Sequence, residues 1–177
     1  QGKLKQAEET YQELLNLDRY NTYALVGLGD LKRRSRAFEA AIGFYRECLS
    51  VERDNWHALV GVGDAHRGLK DLDKALDAWV RCLKLRPYDY KTMTRVADCL
   101  KKKGDFEGSK KYYFMALKKN PCDAFALMGL GQIAVSEKED DKALEFFERV
   151  LETSPNSVIA LTAAANIHRK RQAFKEA

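Results

Sequence analysis

Leu25-Val-Gly-Leu-Gly-Asp30 returns as Leu59-Val-Gly-Val-Gly-Asp64, Met93-Thr-Arg-Val-Ala-Asp98 and Leu127-Met-Gly-Leu-Gly-Gln132, each copy 34 residues after the last. A fifth, Leu161-Thr-Ala-Ala-Ala-Asn166, keeps the spacing, and no insertion interrupts it. A fixed period of this length means one supersecondary unit stacked on copies of itself, because a lone unit cannot bury its apolar face. It also points to a class of function, a surface that holds partners.

Take Thr22, Trp56, Tyr90 and Ala124 as position 1 of four full repeats. Position 8 is then Gly29, Gly63, Ala97 and Gly131. Position 20 is Ala41, Ala75, Ser109 and Ala143, and position 24 is Tyr45, Trp79, Tyr113 and Phe147. Position 27 is Cys48, Cys82, Ala116 and Val150; position 28 is always leucine; position 32 is Arg53, Pro87, Pro121 and Pro155. Small residues let two helices approach closely, the large ring fills the gap between neighbouring repeats, and proline stops a helix because it lacks an N–H.

Small residues at 8, 20 and 27, an aromatic at 24 and proline at 32 resemble the tetratricopeptide repeat family, and the period agrees. The resemblance implies an all-α fold, a right-handed α-solenoid of antiparallel helix pairs forming a superhelix over residues 1–177. Its expected parts are a second helix alone in 1–21, full repeats at 22–55, 56–89, 90–123 and 124–157, and a partial repeat at 158–177. Gly2, Leu4, Ala7 and Tyr11 fit positions 15, 17, 20 and 24 of the first part. At the other end Val158–Arg171 reads as a first helix, with Phe174 and Ala177 at positions 17 and 20 of a second. The chain therefore reads as a piece of a longer array. Departures from the family pattern are Arg53 and Arg19 at position 32, Ser109 at 20, Asp140 at 17, and Lys32, His66, Leu100 and Ala134 at 11, where tyrosine is common.

Composition narrows the function. No run approaches the roughly 18–20 apolar residues of a membrane span, so no membrane is expected. The net charge of +5 is mild, with no long block of like charge and no aromatic–basic alternation, so no nucleic acid is expected either. The four cysteines form no C-x-x-C and suit neither zinc nor a disulfide framework. Cys48, Cys82 and Cys99 fall at packing positions and Cys122 in a loop; buried thiols incline towards a reducing, cytoplasmic compartment. His57, His66 and His168 lie far apart, and no nucleophile–base pair or phosphate loop is present. The reading is a non-enzyme without cofactor or metal. His66 and His168, at position 11, are expected to pack as partly buried rings.

In the family the first helix of each pair lines a concave groove through positions 2, 5, 6, 9, 12 and 13, a stripe consistent with helical spacing. Here the stripe offers Tyr23, Asp30 and Arg34, then His57, Asp64 and Arg67, then Lys91, Arg95, Asp98 and Lys102. Phe125, Met128 and Gln132, with Ile159 and Asn166, complete it. Asp30, Asp64, Asp98, Gln132 and Asn166 at position 9 either hydrogen-bond an extended peptide or pair locally, as Asp30–Arg34, Asp64–Arg67 and Asp98–Lys102. The third repeat is basic and suits an acidic partner group. The fourth is uncharged, and Phe125, Met128, Val135 and Ile159 either form an apolar interaction patch or pack against neighbours. Gly27, Gly61 and Gly129 at position 6 each cost a helix about 1 kcal/mol. They imply close approach of a ligand backbone or an adjacent helix. The family's carboxylate clamp for chaperone tails is matched by Lys91 and Arg95 alone, not by Val26, Asp30 or Gly61.

The function expected is a scaffold or adaptor that binds an extended peptide or partner segment with acidic and apolar side chains. The alternatives are a structural module self-associating through its incomplete ends, and a regulatory arm of a larger enzyme.

Overall fold

The computed structural model describes residues 2–175, with side chains described for 4–172. Those residues form ten helices and no strand. They are α1 (Gly2–Leu17), α2 (Thr22–Arg34), α3 (Phe38–Val51), α4 (Trp56–Gly68) and α5 (Leu72–Leu85), then α6 (Tyr90–Lys102), α7 (Phe106–Lys119), α8 (Ala124–Ser136), α9 (Asp140–Thr153) and α10 (Val158–Lys175). The first helices α2, α4, α6 and α8 begin where the repeat numbering places position 1. The fold is all-α, built of antiparallel helix pairs. Contacts divide it into two compact units, Gln1–Pro87 and Tyr88–Ala177.

Each first helix starts at a side-chain cap. Asn21, Asn55, Asp89 and Asp123 stand just before α2, α4, α6 and α8 and accept the orphan N–H groups of Ala24, Ala58, Thr92 and Ala126. Each cap is worth about 1 kcal/mol. Within a hairpin the chain reverses at one residue in the left-handed region: Arg36, Lys70, Gly104 and Lys138. The next N–H then closes back on the first helix, Ala37 to Lys32, Asp71 to His66, Asp105 to Leu100 and Glu139 to Ala134, at 2.8–3.0 Å. This is the paired-bond ending that satisfies a helix's last carbonyls, normally built with glycine. Second helices stop alike with or without proline. Glu52 N–H reaches Cys48 O at 2.8 Å ahead of Arg53, as Arg86 N–H reaches Cys82 O ahead of Pro87.

In the first unit α1 packs on α2, α2 on α3, α3 on α4 and α4 on α5. The ring at position 24 is the wedge. A Cβ on Gly29 would overlap the Tyr45 ring from within its own repeat, and one on Gly61 would overlap the same ring from the next first helix. Gly27 meets Tyr11 and Gly63 meets Trp79 in the same way. Tyr45 is fully buried, and its hydroxyl donates to Asp30 Oδ1 at 2.7 Å. In the second unit α6 packs on α7, α7 on α8, α8 on α9 and α9 on α10. Gly129 faces Tyr113 and Gly131 faces Phe147. Ser109, the departure at position 20, stays buried because its hydroxyl donates to Ala97 O at 2.8 Å.

One element differs from expectation. A turn was expected after Arg171, but α10 runs unbroken to Lys175. Gln172 occupies the turn position, and no second helix among the described residues packs there. Continued helical hydrogen bonding then outweighs a left-handed residue, which costs about 1–2 kcal/mol. The side chain of Phe174 and all of Ala177 lie outside the described residues.

Two expectations follow. Gly61→Ala destabilises by about 1–3 kcal/mol through overpacking against Tyr45. Gly43→Ala in α3, where a Cβ meets nothing within 4 Å, stabilises by about 1 kcal/mol from helix propensity. Urea titrations of the pair should give opposite signs. Lys70→Gly relieves a left-handed lysine and raises stability by about 0.5–1 kcal/mol, whereas Gly104→Ala lowers it; thermal melts check both.

Candidate functional site

The exposed stripe of the first unit runs along α2 and α4. Tyr23 is 72% exposed and meets Tyr11 edge to face at 5.8 Å. Asp30 is held by the Tyr45 hydroxyl and by Arg33 at 3.1 Å. The expected partner was Arg34, one residue on. Arg33 takes that place because it also reaches the Tyr45 oxygen at 3.3 Å, leaving Arg34 exposed. Asp64 is buried, with Arg67 at 3.3 Å and Arg33 at 3.9 Å. Arg67 lies over the Trp79 ring at 5.6 Å. His57 stacks on Trp56 at 3.4 Å, and the Arg86 guanidinium covers the same indole at 3.9 Å. Burial, then Arg86, lowers the His57 pKa.

In the second unit α6 packs against α8. Lys91 is exposed and Arg95 half-buried. Asp98 binds Lys101 at 3.4 Å and Lys102 at 3.1 Å. Lys101 continues to Gln132 Oε1 on α8 at 2.6 Å, tying the two helices together. On α8, Phe125 is 80% exposed, and Met128 is half-buried against the cluster around Phe147 and Ile167. Ile159 on α10 is 69% exposed, and Asn166 accepts from Arg169 at 3.3 Å. Of the two readings of the apolar patch, Phe125 and Ile159 stand exposed while Met128 packs.

Of the two readings of the position-6 glycines, close approach within the protein holds in α2, α4 and α8, where the position-24 ring of the preceding repeat lies against them. The position-9 side chains have intramolecular partners along the whole ladder. His66 is buried at 6% exposure, whereas His168 is exposed, since no second helix among the described residues covers that face of α10. The cysteines fall as expected: Cys48, Cys82 and Cys99 are buried and Cys122 is exposed. Burial, with Glu52 nearby, pushes the Cys48 thiol up to about 11. The caps at Asn21, Asn55, Asp89 and Asp123 escaped notice, although an Asn or Asp before every first helix is a readable signal.

Among the described residues no group of three His, Cys, Asp or Glu side chains could hold a metal ion, and no helix is long and apolar enough to cross a membrane. In each unit the residues build stacked helical hairpins, with polar, aromatic and cationic side chains along the first helices. The molecule belongs to the class of helical-hairpin repeat proteins. Residues 97–158 match the sequence model of the tetratricopeptide repeat family. Among solved structures, the crystal structure of MamA is 19% identical over 87% of this chain and 90% of that one, with a TM-score of 0.79. YrrB, described as a tetratricopeptide repeat protein with an unusual peptide-binding site, is 19% identical over 94% and 86%, TM-score 0.76. TTC0263 of Thermus thermophilus, also a tetratricopeptide repeat protein, is 15% identical over 94% and 91%, TM-score 0.73. No curated protein matches by sequence. By sequence the family match covers residues 97–158, and the described residues share the fold of these tetratricopeptide repeat structures.

His66 yields a pH expectation. Its pKa is lowered, mainly by burial and also by Lys74 and Arg46, with Asp71 opposing. A lowered folded-state pKa means that stability is fully present above the unfolded value of about 6.5 and is lost as pH falls through the folded one. Melting temperature should begin to drop as pH falls through the unfolded value and go on dropping until the folded-state value is passed. In His66→Tyr, which supplies the family's common residue, the drop should shrink.

Proposed function

We propose that the face shared by α6 and α8 binds an extended segment of a partner protein. An acidic side chain of that segment lies near Lys91 and Arg95, and an apolar side chain covers Phe125 and the exposed edge of Met128. The observation that carries this reading is the Phe125 ring. It stands 80% exposed on α8, a helix that packs against the cation-rich α6. A large exposed aromatic next to complementary charge is the composition of an interaction hot spot rather than of a solvated helix face. Asp98 supports the reading from below: by engaging Lys101 and Lys102 it leaves Lys91, a full two turns earlier, as the exposed cation nearest the helix start. The Lys101–Gln132 bond keeps α6 and α8 in register, so both halves of the site are preorganised. YrrB, similar in fold, is described as having a peptide-binding site, which supports a peptide as the partner.

The binding is non-catalytic, and the chain acts as an adaptor. Buried thiols at Cys48, Cys82 and Cys99 support a reducing compartment such as the cytoplasm.

Peptides selected on the wild-type chain from a displayed random library should be titrated by fluorescence anisotropy against Lys91→Glu/Arg95→Glu and against Phe125→Ala. Charge reversal is expected to weaken binding about tenfold and to flatten its salt dependence. Phe125→Ala is expected to weaken it by about 1–2 kcal/mol without changing the salt slope. Equal affinity for all three proteins sinks this placement.

A further inference from the structure

A cleft of about 180 Å³ opens in the first unit between α3, α4 and α5, on the side of the second helices and away from the stripe described above. Its inner wall is apolar, with Leu49 and Val62, and its rim carries Arg46, Lys74 and Arg81 against one carboxylate, Asp77. Lys74 is committed to Asp71 at 2.7 Å. Arg46 and Arg81 are exposed and have no ion-pair partner among the described residues.

Why this cleft exists is clear from the counterpart positions two repeats later. Leu49, Lys74, Asp77 and Arg81 correspond to Leu117, Lys142, Glu145 and Arg149, so the frame is chemically alike. Two positions break the likeness. Where the second unit has Phe114 and Phe146, the first has Arg46 and Ala78. In the second unit those two rings meet at 6.4 Å and occupy the space between α7 and α9. In the first unit Ala78 is buried and supplies only a methyl group, so the room taken there by aromatic rings is open here. His66 replaces Ala134 at the same wall, and its Nδ1 is buried without a hydrogen-bond partner among the described residues, 3.8 Å from Asp71 Oδ2.

We infer that this cleft is a second docking site, which takes one aromatic side chain from an acidic segment of a partner protein. Size and charge select that occupant. The volume is well under the roughly 300–1,000 Å³ of small-molecule pockets and suits a single side chain. The missing group, judged by Phe146, is aromatic. Arg46 and Arg81 flank the opening and call for carboxylates on either side of the inserted ring, with the guanidinium faces also able to lie against it. The site is independent of the α6–α8 face and stands or falls separately.

The test uses the full chain, a phage-displayed random peptide library, and two variants. Arg46→Glu/Arg81→Glu alters only exposed side chains. Ala78→Phe refills the cleft with the residue used in the second unit, and circular dichroism verifies its fold. The expected result is a family of enriched peptides with an aromatic residue flanked by Asp or Glu. Their affinity should fall about tenfold or more in both variants, stay unchanged in Lys91→Glu/Arg95→Glu, and their binding should shift the His66 imidazole proton resonances. If Ala78→Phe does not fold, the arginine variant and the His66 resonances decide. Absence of such peptides, or peptides that bind the arginine variant as well as wild type and leave His66 unmoved, overturns the inference.

Discussion

A single ring held between two glycines sets the helix spacing in the first unit. Tyr45 lies against Gly29 of its own hairpin and Gly61 of the next first helix, so one side chain fixes two spacings at once. Glycine at both contacts lets the helix backbones come as near as the thickness of a phenol allows. The repeated loss of helix propensity at positions 6 and 8 is offset by burial of the ring, which is worth roughly 1.5–3 kcal/mol for a large apolar side chain. The same ring also organises polar groups. Its hydroxyl draws in Asp30, which in turn holds Arg33, and Arg33 reaches across to Asp64 on α4. Packing and the charge ladder are therefore one construction, and the ladder is internal before it is available to any ligand.

This explains what could and could not be read from the chain. The 34-residue period, with a small residue at 8 and an aromatic at 24, specifies hairpins and their register, because those positions follow from backbone distance alone. The basic run on α6 was legible too, since it follows from helical spacing, whereas whether Phe125 is exposed or packed depends on its neighbours and was open. Pairings were not. Arg33 and Arg34 are both within reach of Asp30, and only the phenol of Tyr45, fifteen residues away in sequence, decides between them. The meaning of Gly27, Gly61 and Gly129 was half readable: that something approaches closely follows from their cost, but that it is a ring from the previous repeat requires the third dimension. His66 and His168 share a repeat position yet differ in burial, because burial depends on the neighbour and not on the residue.

Repetition also makes departures informative. A hairpin that must stack on its copies has little freedom at positions 8, 20 and 24, and variation there is compensated locally, as Ser109 is by Ala97 O. Freedom remains on the outward positions, and there the repeats diverge: cations on α6, an exposed aromatic on α8, and Arg46 and Ala78 where Phe114 and Phe146 stand two repeats later. Such differences on a common frame are where an array of near-identical parts acquires different surfaces for different partners.

Both tryptophans, Trp56 and Trp79, fall in the first unit, and the second contains none. Their surroundings differ sharply: Trp79 is fully buried under Arg67, while Trp56 is sandwiched by His57 and Arg86. The chain is thus optically lopsided. Its tryptophan emission reports residues 1–87 alone, whereas helical ellipticity sums the whole. Superposition of the two signals during denaturation means that the units melt as one cooperative body, and separation of the curves means that each carries its own stability.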